Sequence, residues 1–308
     1  MKKFEKLSAI IVGISLITGL AACGSAEANS NASTAVSDTV ESTTSSETAK
    51  DTASDVTVIK VAFCTDLYPT AYYDEDGNVT GSDIEILKRI DEELEQYEFT
   101  YEMVSFEAEY TGLSSGVYDI ALSNAYWTEA RAEKYIIPDN PIGANIVSLV
   151  RNVAYEDVTT FRQVSELGLS IVPNNAANGM WRVYDGYNEQ NPDALIEVTP
   201  DDGTAATTAY ADIALGKYDV VCAEKFAYES LVVAEDGAFH EYADKLIASD
   251  YTSVFTYPII AKADTELAEA INEKLGEYYD EGYLQEIAES YLGYDSFAYT
   301  EGVAAELK

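Results

Sequence analysis

A chain of 308 residues with 47% hydrophobic positions is long enough for two ordinary domains and apolar enough for a packed core, which excludes wholesale disorder. Against 18 Lys+Arg stand 55 Asp+Glu, a net charge of −37, so the chain would repel a phosphate backbone and nucleic-acid binding is excluded. One histidine, His240, and three cysteines make no cluster at metal-ligand spacing and no Ser-His-Asp arrangement beyond a single imidazole, which removes most zinc-enzyme and hydrolase chemistry.

Residues 1–22 carry Lys2, Lys3 and Lys6 and then a mostly apolar stretch from Leu7 to Leu20, too short and too interrupted for a membrane span, and read as an export signal. The stretch ends Leu20-Ala21-Ala22-Cys23-Gly24, which resembles the lipobox of bacterial lipoproteins; the resemblance implies that Cys23 is acylated and becomes the mature N-terminus. The alternative is an ordinary small-residue cleavage site beside a chance cysteine. Of the 32 residues from Gly24 to Asp55, 20 are Ser, Thr or Ala and none is aromatic, so residues 23–55 read as the lipidated cysteine and a flexible tether. Residues 56–308 keep 14 basic and 48 acidic residues, so the acidity belongs to the folded region and favours a zwitterion or cation over a dianion as ligand.

From Val56 onward strands and helices alternate, which predicts an α/β architecture. Val58 to Phe63 reads as a strand; Ile86, Leu87, Ile90 and Leu94 form a helical stripe capped at Ser82 or Asp83; two more stripes follow, Leu267, Ile271 and Leu275, then Leu284, Ile287 and Tyr291. Gly116-Val117-Tyr118-Asp119-Ile120-Ala121 is echoed by Gly216-Lys217-Tyr218-Asp219-Val220-Val221. Each Gly suits a left-handed helix end and each Asp precedes a short strand, so one α/β unit is expected twice, with Ser123 to Arg131 and Ala223 to Phe226 facing a crevice beyond the strand ends.

The chain resembles the extracytoplasmic amino-acid-binding receptors of ATP-binding-cassette importers, such as the glutamine- and histidine-binding proteins, over roughly residues 56–296. The residues that carry the resemblance are Tyr68-Pro69-Thr70-Ala71-Tyr72-Tyr73, Asp76-Gly77-Asn78, Gly81-Ser82-Asp83, Ser105-Phe106, Leu113 to Asp119, Thr128-Glu129-Ala130-Arg131, Glu266 to Asn272, Gly282-Tyr283-Leu284 and Tyr291-Leu292-Gly293. The resemblance implies a two-lobe, type II periplasmic-binding-protein-like fold with a double-crossing hinge. Lobe 1 is then 56–148 plus 254–308, and lobe 2 is 149–253 with the hinge crossings at its ends. It also implies a monomer without cofactor or metal, lipid-anchored on the extracytoplasmic face, that passes a small amino-acid-like ligand to a membrane permease.

Site residues follow by the same resemblance. Arg131, after a Thr128 cap, opposes the helix macrodipole and matches the arginine that holds the ligand α-carboxylate; a surface ion pair with Glu129 or Glu133 is the alternative. Glu224 matches the acid that binds the α-ammonium group, with a solvated loop glutamate as the alternative. Phe106 matches the ring that stacks on the ligand, and Tyr68, beside Leu67 at the usual aromatic position, supplies the other face. The sequence departs from the family pattern three times: Tyr126 follows Asn124-Ala125 where a small hydroxyl is usual, Pro173-Asn174-Asn175-Ala176 replaces a Gly-Thr, and Cys64 stands where an acid often follows the first strand. Asn124, Tyr126, Asn175 and Cys64 are therefore counted with the pocket. Cys64 and Cys222 fall in different expected lobes and are read as thiols. Two other function classes compete: a dehydratase-like enzyme of the same fold, with Glu224 as its acid, and a surface adhesin or sensor lipoprotein using the tyrosines crowded near the C-terminus.

Overall fold

The computed structural model describes residues 56–65, 67–176 and 178–299; the signal, Cys23 and the tether expected over 1–55 lie outside the described residues. Strand β1 (Thr57–Cys64) is buried at every position from Val61 onward, as befits a strand with parallel neighbours on both sides and helices above and below. Its partners are β4 (Tyr97–Val104), the half-exposed edge strand, and β5 (Ile120–Ala125). A small hairpin of β2 (Tyr72–Tyr73) and β3 (Val79–Thr80) leads into helix α1 (Ser82–Glu93), whose stripe of Ile86, Leu87 and Ile90 is buried.

The start of α1 differs from expectation. Gly81, at φ 128, caps it, with Ser82 and Asp83 inside the first turn. The Thr70 carbonyl explains this: it accepts the Asp83 N–H at 3.0 Å and lies where a side chain at Gly81 would sit. Burial pushes the Asp83 carboxyl up to about 7, although Ser82 Oγ donates to it at 3.2 Å.

Helix α2 (Phe106–Ser115) starts on a Ser105 cap and ends in left-handed Gly116. After β5 come α3 (Glu129–Lys134) and β6 (Gly143–Asn152), then α4 (Phe161–Leu167), β7 (Asn174–Asn175), α5 (Trp181–Gln190), β8 (Pro200–Asp201) and α6 (Ala209–Ala214). Strand β9 (Val220–Glu224) passes into α7 (Lys225–Tyr228), which continues as a π-turn over Glu229–Val233. The long β10 (Leu246–Ile260) precedes α8 (Thr265–Glu281) and α9 (Tyr283–Leu292).

The echo in the sequence is an echo in hydrogen bonding. Asp119 Oδ2 accepts the Lys60 N–H at 2.7 Å while its own N–H reaches the Lys60 carbonyl; Asp219 Oδ2 accepts the Ser170 N–H at 2.8 Å while its N–H reaches the Ser170 carbonyl. Each aspartate thus locks the entry of its strand to the neighbouring chain, and Gly116 and Gly216, at φ 74 and 75, make the turn that brings it there.

The six-stranded sheet runs β4-β1-β5-β10-β6-β9. Strands β6 and β10 pair antiparallel along nearly their whole length, from Leu246 opposite Asn152 to Thr256 opposite Gly143, with a register shift between Asp250 and Thr252. The far end of β10 pairs with β5, and β9 pairs with β6. Phe63, Ile90, Ile120, Ile260, Ile271 and Leu284 belong to one core cluster. Leu149, Phe161, Tyr184 and Cys222 belong to a second, and Val150, Tyr210, Ile213 and Leu246 to a third. Cys64 lies in the first cluster and Cys222 in the second, both as buried thiols. Several C-terminal tyrosines serve packing: Tyr278 is fully buried, the Arg89 guanidinium lies 4.0 Å from its ring and 4.4 Å from that of Tyr283, and Tyr291 hydrogen-bonds Thr80. No helix among the described residues is long and apolar enough to cross a membrane.

Candidate functional site

Beyond the carboxyl ends of β5 and β9 lies a cavity of about 510 Å³, walled by residues of α2, the β5–α3 turn, the loop before α5 and the start of α7. Of the expected site residues, Phe106, Asn124, Tyr126, Arg131, Asn175 and Glu224 line it. Cys64 does not: as the last residue of a strand paired on both sides, it turns into the core beside Phe63 and is 7% exposed. Tyr68 does not either. It is 65% exposed, lies against Tyr72 at 4.9 Å between ring centroids, and borders a neighbouring chamber of about 720 Å³ on the far side of Phe226. Leu67 itself reaches the cavity, so the family position, not its neighbour, faces inward.

Asn124 has φ 52, and among the described residues it is the one non-glycine in that region; asparagine tolerates it better than other side chains do. The bend turns the chain out of the sheet toward Tyr126 and the Thr128 cap, whose Oγ1 accepts the Arg131 N–H at 3.2 Å. Arg131 Nη1 donates to the Tyr126 carbonyl at 2.6 Å, which folds the guanidinium back over the turn into the cavity wall. Among the described residues no carboxylate lies within ion-pair distance of Arg131, so the alternative pairing with Glu129 or Glu133 is not made. The charge has desolvated neighbours and space in front of it, which is what an arginine needs to grip an incoming carboxylate.

Glu224 ends β9 half-buried, and its Oε1 accepts the Tyr126 hydroxyl at 3.0 Å. Asn145 Nδ2, buried on β6, donates to the same hydroxyl at 3.2 Å. Burial and the Glu224 charge hold the Tyr126 phenol well above its ordinary pKa, so it stays a donor. Gly179 presses its backbone against the Tyr126 ring, where a methyl group would overlap Cβ and the ring. Next along the chain, Trp127 is gripped by Arg182: Nη1 donates to the Trp127 carbonyl at 3.0 Å, and the guanidinium stands 4.8 Å from the ring centroid. Three bonds and one close approach therefore tie the β5–α3 turn to β6, β9 and the start of α5.

Sequence reasoning missed Asn178, Gly179, Asn145, Arg182 and Glu109. Asn145 carried a signal, an amide at the head of the apolar run of β6; the others carried none. Glu109 on α2 is fully buried, both carboxyl oxygens out of reach of water. Burial pushes its pKa up to about 9, with the Leu122 N–H and the Arg131 charge pulling weakly the other way, so it is protonated at neutral pH. No group of three His, Cys, Asp or Glu among the described residues is placed to hold a metal ion.

The sequence profile of the bacterial extracellular solute-binding proteins, family 3, matches residues 59–294. The L-cystine-binding protein TcyK of Bacillus subtilis is 23% identical over 291 residues, covering 94% of this chain and 97% of that protein. Among solved structures, the probable amino-acid ABC transporter extracellular-binding protein ytmK of Bacillus subtilis superposes with a TM-score of 0.60 at 20% identity, covering 77% of this chain and 98% of the other. A chain from the structural study of glutathione import via GshT and the cystine ABC importer TcyBC of Streptococcus mutans superposes at 0.57 with 22% identity, covering 80% and 99%. These likenesses establish the type II α/β fold.

Proposed function

Because the chain belongs to the bacterial extracellular solute-binding proteins, family 3, we propose that its cavity captures an amino-acid-like solute and that the loaded protein delivers it to the permease of an ATP-binding-cassette importer. The observation that carries this reading is that Arg131 and Glu224, from different strand ends, line one cavity. Arg131 takes the α-carboxylate in its fork; Glu224, with Tyr126 on one oxygen, offers the other to the α-ammonium group. Phe106, half-exposed and leaning on Tyr110 at 4.9 Å, provides a face for the rest of the solute. L-cystine, the ligand named for the Bacillus relative, belongs among the solutes to be tested.

In this reading residues 56–148 with 254–308 form one lobe and 149–253 the other. Strands β6 and β10 are the two crossings of the hinge, since both run from one core to the next. The protein works as a monomer, held at the outer membrane face through acylated Cys23 and the tether; the Leu20-Ala21-Ala22-Cys23 motif supports the anchor. The family binds solutes, so a dehydratase-like reaction has no support, and the packed C-terminal tyrosines leave little for an adhesive surface.

A thermal-shift panel of L-cystine and the standard amino acids tests the function. A true ligand at about a hundredfold excess over its Kd adds about 2.7 kcal/mol to the folded state. At least one member should raise the melting temperature; a flat panel overturns the amino-acid reading.

A further inference from the structure

The cavity at Arg131 and Glu224 has a neighbour of about 210 Å³, and Asn178 and Glu224 line both. Its walls are mostly apolar, Val172, Met180, Ala209, Val221 and Leu231 among them, with Asn174 and Asn178 as amides and Glu224 as the single charged residue among those lining it. Most of these wall residues are buried, and Cys222, which also faces the space, is kept a neutral thiol because burial pushes its pKa far up.

A mostly apolar space of this size, sharing two wall residues with the proposed carboxylate and ammonium clamps, is shaped for part of the same solute. The chamber beyond Phe226 contrasts with it: Glu229 and Asp236 line that chamber, and it suits a charged or solvated end.

We propose that the solute held at Arg131 and Glu224 carries an extended, uncharged alkyl or thioether side chain, and that this arm fills the pouch behind Glu224. The proposal rests on the amino-acid reading above and narrows it to a class of side chain that leaves out L-cystine, whose far end carries a second ammonium and carboxylate. Ala209 and Ala227 line the pouch, and Leu at either position would occupy the space the arm needs.

Calorimetric titration with L-alanine, L-norleucine and L-methionine tests it. Each buried methylene is worth about a fourfold gain in association. L-Norleucine and L-methionine should therefore bind the wild-type protein at least about tenfold more tightly than L-alanine. In Ala209→Leu and in Ala227→Leu that ratio should collapse toward one. The second variant, at a half-buried position, covers the case in which the first fails to fold, and thermal melts identify which variants are folded. A wild-type ratio near one, or a ratio untouched in the folded variants, overturns the pouch while leaving the clamps standing. Binding of none of the three probes overturns the pouch, and together with a flat thermal-shift panel it overturns the amino-acid reading as well.

Discussion

The Tyr126 hydroxyl donates to Glu224 Oε1 at 3.0 Å, joining the turn after β5 to the end of β9, 98 residues further along the chain. The family resemblance implies a small hydroxyl where this chain has Tyr126. The larger phenol spans the space between the strand ends, and Gly179 is bare of a side chain where the ring lies.

Tyr126→Phe keeps the ring and removes the bond, leaving a half-buried carboxylate and the Asn145 amide short of a partner. A loss of about 1–3 kcal/mol in unfolding free energy is expected by urea titration. Small-angle scattering of the solute-free variant should show a larger radius of gyration than wild type if the same bond holds the proposed lobes together. Unchanged stability and unchanged scattering would show that Tyr126 is only a space filler.

Arg131→Lys keeps the charge and loses the planar fork, so one of two parallel bonds to a carboxylate goes. Calorimetry with whichever solute the thermal panel identifies should show a loss of about 1.5–3 kcal/mol, one to two decades in Kd. Glu224→Gln should cost a similar amount only for solutes with an ammonium group. Wild-type affinity in Arg131→Lys would move the clamp elsewhere.

Glu109 sets a pH dependence of stability. A carboxyl whose folded pKa stands near 9, above its unfolded value of 4.5, holds its proton more tightly when folded, so folding is favoured most below about 4.5 and loses ground as pH rises toward about 9. Glu109→Gln removes the titrating group, so the fall in stability from pH 5 to pH 9 should be shallower in the variant, by as much as several kcal/mol at about 1.4 kcal/mol per pH unit. Denaturant melts across that range check it; parallel curves for the two proteins would place the titration on other groups, Asp83 first.

Cys23→Ser should abolish acylation and release the protein from membranes, while residues 56–299 keep their fold because the clusters of buried residues described here are built within that range. Detergent partition of cells expressing each form decides it, and equal retention of both would refute the anchor.

The alternation of strands and helices was legible because hydrophobic periodicity is local: the stripes of α1, α8 and α9 and the run of β1 declare themselves within a dozen residues. The Gly-x-Tyr-Asp echo was legible as a pattern, and its cause, a carboxylate closing on the backbone of Lys60 or Ser170, needed coordinates. The echo marked the segments that line the cavity, Ser123 to Arg131 and Ala223 to Phe226, while Arg131 and Glu224 were singled out by the family resemblance. Cys64 and Tyr68 were placed in the pocket because facing depends on tertiary register: one residue along a strand end, or one along a loop, turns a side chain to the opposite side. Glu109 and the pouch behind Glu224 had no sequence signal, since a buried acid on an amphipathic helix reads like any of the other 54 acids of the chain and an empty volume has no residues of its own.

The β6–β10 ladder, paired from Leu246 to Thr256, bears on how such a molecule can move. Two long strands bonded to each other on both sides of one register shift behave as a ribbon, and a ribbon turns by twisting about its length without parting its edges. If the proposed lobes rotate, the rotation then spends no backbone hydrogen bonds of the ladder and concentrates in torsion near the register shift at Asp250 and Thr252. The amides of the ribbon should exchange with solvent equally slowly whether or not solute is bound, and the contacts that come and go should be the side-chain ones, Tyr126 with Glu224 and Arg182 with Trp127, at the rim.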